Sequence, residues 1–100
     1  MGIRIFVDDN REFPKGFECF KSFGGVIMLM KYMNDDIDMI SLDFDLGDRY
    51  TGLDILKWMK ENGKAPKHIN IHSDHEQGVP LMKAYAVRNF PDSVLTVNSV

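Results

Sequence analysis

The sequence has one cysteine, Cys19, among its 100 residues. A lone thiol excludes an intrachain disulfide and any metal site built from several cysteines. Its neighbours Phe17 and Phe20 suggest a buried structural thiol, because a reactive one would need a base or a helix terminus beside it. No apolar run approaches the ~20 residues that span a bilayer, and the opening MGIRIFVDD reads as a strand instead of a basic, apolar, then small-residue leader. Positive charge is also scarce. Twelve Lys and Arg stand against 15 Asp and Glu, a net charge of -3, so the basic footprint of a duplex nucleic-acid binder is missing. That balance leaves room for a small phosphorylated ligand or nucleotide, and for a protein partner, in a cytoplasmic setting without a membrane.

What is present is a chain 44% hydrophobic and 27% charged, too apolar for intrinsic disorder. Residues 1–100 have the size of one domain, enough to bury about two thirds of the surface that the unfolded chain exposes. Repeats, low-complexity stretches and linkers are lacking. Ile3 to Val7 forms a β-rich run stopped by Asp8 and Asp9, and FECF at Phe17 to Phe20 is a weaker strand. Between them DDNREFPKG carries Pro14 and Gly16 and reads as a loop.

From Ser22, a helix N-cap, Val26, Ile27, Met30 and Met33 recur at helical spacing. The methionines between Met28 and Met59 read as fillers of an irregular core. Asp38 to Leu42 makes a third strand. Thr51 to Asn62 makes a second helix, with Thr51 as N-cap, Asp54 in capping-box register, Gly63 as its stop, and Leu53, Leu56 and Met59 as its buried stripe. A fourth strand, HINIH, a helix from Val79 to Asn89 with Pro80 in its first turn, and a fifth strand in PDSVLTVNSV complete the order. The alternation implies an α/β fold with a mainly parallel sheet and helices on its faces. The near-continuous apolar strands fit burial on both sides.

In such sheets ligands bind beyond the carboxyl ends of the strands, at the switch point. If the strand order is 2-1-3-4-5, Asp8 and Asp9, Asp43 and Asp45, and His72 and Ser73 share one rim. Carboxylates gathered there raise one another's pKa unless protons or a cation neutralise them. Hard oxygen ligands favour Mg²⁺, Ca²⁺ or Mn²⁺, and His72 and His75 nearby leave Mn²⁺ or Zn²⁺ open. A cation held this way suits phosphate chemistry. Ser73 offers a hydroxyl, the second helix an N-terminus near Gly52, and Arg11 a bidentate grip.

Each residue also has a plainer reading. Asp45 before Leu46 and Gly47 can be a turn residue bonded to its own backbone, and Asp8 or Asp9 can cap the following loop. His72 can be a satisfied core residue, His75 a solvated one, and Arg11 a partner of Asp9 or Glu12. His68 reads as exposed and without a role.

The strand-end pair Asp8 and Asp9, the aspartate after the third strand, the helix start TGLDIL and the serine after the fourth strand resemble a response-regulator receiver domain. That resemblance implies Mg²⁺ bound through the acidic pair and Asp43 as the phosphorylated residue. More closely, DDNR at Asp8 to Arg11, SLDFDLG at Ser41 to Gly47, TG at Thr51 and Gly52, and IHS at Ile71 to Ser73 resemble the receiver-like group named for cyclic-phosphate processing. The likeness covers nearly the whole chain and implies a flavodoxin-like or receiver-like fold that processes cyclic phosphates of nucleotides or RNA ends.

Three departures from ordinary receivers stand out. The first receiver helix is replaced by a loop, which would leave one sheet face less covered and the relative direction of the first two strands open. No lysine follows the fifth strand. Asp45 and His72 add ionisable groups that suit acid-base chemistry. Within the closer group, Phe44 and His75 stand where a histidine and an asparagine are expected.

The reading that results is a metal-dependent phosphoesterase. Asp8, Asp9 and Asp43 would hold Mg²⁺ or Mn²⁺, Asp43 or a water would attack phosphorus, Asp45 or His72 would move protons, and Arg11, Ser73 and Gly52 would bind phosphate. The alternatives are a non-catalytic receiver-like binding or signalling module, and an accessory protein whose exposed sheet face docks another protein.

Overall fold

The structure is a computed structural model that describes residues 2–99. Its elements are β1 (Ile3–Val7), β2 (Glu18–Phe20), α1 (Phe23–Tyr32), β3 (Ile37–Leu42), α2 (Gly52–Glu61), β4 (His68–Ile71), α3 (Gly78–Asn89) and β5 (Val94–Val97). Local signals set most of the ends. The Ser22 hydroxyl accepts from the Gly25 amide at 3.2 Å and starts α1. Thr51 and Asp54 close a reciprocal capping box at the start of α2, which satisfies two orphan backbone donors at once. Past its end, Gly63 adopts φ +68°. The amides of Gly63 and Lys64 then reach back to the carbonyls of Lys60 and Met59, the paired bonds of a Schellman stop.

The strands form one sheet in the order β2-β1-β3-β4-β5, with every neighbouring pair parallel. This is the doubly wound flavodoxin-like order. The open direction of the first two strands resolves as parallel. The turn after β1 is built by Asp8, whose Oδ1 accepts from the amides of Asn10 and Arg11 at 2.8 Å each. With Gly16 at φ +84°, the connection runs as an irregular loop where a helix would otherwise cross.

Register decides which face is the core. Ile5 lies beside Ile40, Val7 beside Leu42, Ile40 beside Ile69 and Leu42 beside Ile71, so all six side chains project the same way. They are buried together with Val26, Ile27 and Met30 of α1, Ile55, Leu56 and Met59 of α2, and Met82 and Ala86 of α3. All three helices therefore cover one face, as the loop in place of the first helix implies, and the expectation of helix cover on both faces is corrected. The buried stripe of α2 is centred on Ile55, Leu56 and Met59, with Leu53 only half-buried.

The opposite face begins with Phe6, against which Phe13 and Phe17 of the loop stand edge-on at 6.0 and 5.9 Å. Beyond Phe6 that face turns polar. Phe6, Ser41, Asn70 and Thr96 form one row across the sheet. Strands whose outward residues are polar at these positions cannot be buried in apolar packing on both sides, and here hydrogen bonding replaces helix cover. Cys19 is half-buried, and burial, aided by Glu18, pushes its thiol above the ordinary range. Among the described residues, no helix is long and apolar enough to cross a membrane.

Candidate acidic site at the strand ends

Parallel pairing brings the carboxyl ends of β1, β3 and β4 side by side, and with them Asp8, Asp43 and His72. Asp8 is only 3% exposed. A carboxylate this buried needs donors on both oxygens, and it has them. Oδ1 takes the amides of Asn10 and Arg11, and Oδ2 takes His72 Nε2 at 3.0 Å and faces Arg11 Nε at 3.7 Å. Asp9 is exposed and lies over Gly47, whose φ of +72° and missing Cβ make room for its carboxylate. Asp43 is half-buried, with Oδ1 accepting from the Phe44 amide at 2.8 Å, and Ser73, whose hydroxyl accepts from the His75 amide at 3.2 Å, lies on the same depression.

Asp8, Asp9 and Asp43 each offer an oxygen, and the three atoms lie within 4.8 Å of one another. Burial pushes the Asp43 carboxyl above its ordinary value, and the charges of Asp8 and Asp9 add to that, while the bonds from Ser73 and Phe44 oppose it. Three hard oxygens converging under mutual repulsion form a donor set that fits a divalent cation of the Mg²⁺ class. A depression beside them is lined by Asp8 and Asp43, but not Asp9, together with Asn10, Arg11, Ser73 and Asp74.

His72 is fully buried. Its ring stacks flat on Phe6, with centroids 4.2 Å apart and planes at 1°, and both ring nitrogens are occupied, Nε2 by Asp8 and Nδ1 by Ser41 Oγ at 2.6 Å. Burial pushes its pKa below the ordinary imidazole value, with the Asp8 carboxylate pulling the other way. It bonds Asp8 and does not line the depression, so the proton-transfer role expected of it finds no exposed ring nitrogen.

Other sequence expectations change as well. Asp45 is exposed, and its Oδ1 accepts from the Gly47 amide at 2.9 Å. It is the turn residue of its plainer reading and does not join the acidic group. Gly52 spends its amide on the Phe44 carbonyl at 2.9 Å, and a Cβ there would collide with the Asp43 carbonyl and crowd Met82. Its amide is thus engaged by the backbone, and its missing side chain lets α2 approach Asp43 closely. Arg11 pairs with Asp8, and neither Asp9 nor Glu12 takes that place.

His75 is exposed, but its Nδ1 accepts from the Gly78 amide at 2.9 Å and caps α3. Its ring lies 4.5 Å from that of Phe44, so the two positions that depart from the closer group touch each other. Both ring nitrogens of His72 are engaged, and the group that converges at the rim, Asp8, Asp9 and Asp43, offers only oxygens. His68 is half-buried and bonded to Thr96. Asn10, Ser41 and Asn70 were missed by sequence reasoning. The polar alternation in HINIH was the available signal for Asn70.

Compared with known proteins, residues 3–88 match the family described as the cyclic-phosphate processing receiver domain. No curated protein matches the chain. With the 2-1-3-4-5 parallel sheet and the acidic residues at its strand ends, that match over most of the sequence means that the chain belongs to the cyclic-phosphate processing receiver domain family.

Proposed function

We propose that this domain is a cation-dependent phosphoesterase that opens a cyclic phosphate of a nucleotide or RNA end in the cytoplasm. The observation that carries the reading is the convergence of Asp8, Asp9 and Asp43 within 4.8 Å, beside a depression that Asp8 and Asp43 line together with Arg11 and Ser73. Those three carboxylates would hold Mg²⁺, or Mn²⁺ in its place. When bound, the cation would neutralise the carboxylates and polarise a phosphoryl oxygen.

The chain's own residues supply the remaining chemistry. The Arg11 side chain is 44% exposed and presents its guanidinium to phosphate oxygens, and the Ser73 hydroxyl adds a donor. Asp43, which lines the depression, takes the proton of the attacking water. One oxygen–phosphorus bond forms, one ring phosphorus–oxygen bond breaks, and the released sugar oxygen takes a proton from solvent. His72 holds Asp8 in place from behind.

A second reading, a receiver-like module that binds a phosphorylated ligand without turnover, is favoured by the full burial of His72. That burial leaves no histidine among the residues lining the depression. Phosphorus NMR of the protein with Mg²⁺ and 2′,3′-cyclic nucleotides separates the two. The phosphoesterase reading expects a ring-opened monoester that is absent with Asp43→Asn. Undiminished hydrolysis by that variant contradicts the role of Asp43, and ligand-induced shifts without product favour the binding module.

A further inference from the structure

We propose that Ser41, Asn70 and Thr96 are positioning residues that hold His72 as the tautomer protonated on Nε2, and through it fix Asp8 in the acidic rim. The inference rests on the reading of that rim as a cation site. It follows from the direction of a hydrogen-bond chain on the polar face of the sheet. A backbone N–H can only donate, and that of Ser99 lies 3.1 Å from Asn70 Oδ1. The amide oxygen of Asn70 is thereby assigned, and its Nδ2 must be the group facing Ser41 Oγ at 2.9 Å.

Ser41 Oγ then accepts from Asn70 and has one proton to give. It sits 2.6 Å from His72 Nδ1 in a site where Ser41, Asn70 and His72 are all fully buried. A proton on Nδ1 would leave the serine hydroxyl without an acceptor, a costly arrangement away from water. Nδ1 is therefore bare, and Nε2 carries the proton it donates to Asp8 Oδ2 at 3.0 Å.

The far end follows the same direction. Thr96 Oγ1 donates to Asn70 Oδ1 at 2.7 Å, so it accepts from His68 Nε2, also at 2.7 Å. Every bond from His68 to Asp8 runs donor to acceptor in one sense. The amide in the middle cannot pass a proton on, so the chain orients and does not conduct. The flat stack of Phe6 on the His72 ring resists rotation of the ring out of this arrangement. Outer partners of this kind commonly set the orientation of a metal-binding group.

Two-bond proton–nitrogen NMR of the full chain, cation-free at neutral pH, reads the tautomer of His72 directly. The expected signature is Nε2–H alone, and Nδ1–H or a mixture overturns the proposal. Ser41→Thr keeps the hydroxyl and Ser41→Val removes it at nearly the same shape. The threonine variant is expected to retain the signature, and the valine variant to mix tautomers and lose about 10-fold in Mg²⁺ affinity. A folded valine variant with the wild-type signature and affinity overturns the proposal. Wild-type protein that shows the Nε2–H signature but takes up no Mg²⁺ upholds the tautomer and overturns the cation-site reading instead.

Discussion

Burial and two neighbouring carboxylates push Asp43 above its ordinary value of 3.8, against the opposing bonds from Ser73 and Phe44. A folded-state pKa raised above the unfolded one gives a contribution that is complete below about 3.8 and lost as pH rises through the folded value. At neutral pH, ionised Asp43 is thus a net cost to the cation-free fold. Asp43→Asn is expected to raise the Tm measured at low salt without divalent cation, and Mg²⁺ is expected to raise the Tm of the wild type more than that of the variant. A lower Tm for the cation-free variant would show that the carboxylate is not under repulsion.

His72 has the opposite sign. Its pKa is lowered chiefly by burial, so its contribution is present above about 6.5 and lost as pH falls toward the folded value. Urea midpoints taken at about pH 7 and about pH 5.5 should fall for the wild type, and the fall should shrink in His72→Asn. Not every acidic role was legible at this scale. An aspartate followed two residues later by glycine spells both a rim ligand and a self-bonded turn. At Asp45 the backbone path alone chose the turn, whereas the gathering of Asp8, Asp9 and Asp43 was readable because the first two are the residues just after β1 and the third directly follows β3.

At the level of elements, α2 is fixed against the rim by its N-cap, Thr51, and its first residue, Gly52. The Thr51 hydroxyl bonds the Asp54 amide, and Thr51→Ala should cost about 1 kcal/mol by urea denaturation. Gly52→Ala places a methyl against the Asp43 carbonyl and Met82. A stability loss of roughly 1–3 kcal/mol is expected from that overpacking, with weaker Mg²⁺ binding as α2 moves off the Asp43 backbone. A neutral Gly52→Ala would mean that the close approach is not needed.

The helices were legible because caps and 3.6-residue spacing are local signals, as at Ser22, Thr51 and Gly63. Side-chain partners across the sheet were not. Ser41, Asn70 and Thr96 meet only through the registers of β3, β4 and β5, and each alone looks like an isolated polar residue in an apolar strand.

For the molecule as a whole, the sheet is one-sided. Three helices bury its apolar face, while the other is covered by Phe13 and Phe17 over Phe6 and then by a hydrogen-bonded polar row. Apolar strands suggested cover on both faces because the polar exceptions fall at single positions, one or two to a strand. The arrangement ties the acidic rim to the sheet itself. Asp8 is held from behind by β4 through His72, and in front it meets Asp9 and Asp43.

Whether Asp8, Asp9 and Asp43 share one divalent cation is read by titrating isotope-labelled protein with Mn²⁺ and following paramagnetic broadening of the amide signals. The amides of Asp8 to Asn10, Asp43, Phe44 and Ser73 should broaden first and recover on competition with Mg²⁺. First broadening at the other acidic stretch, Asp35 to Asp38, or uniform broadening across the surface, would contradict the claim.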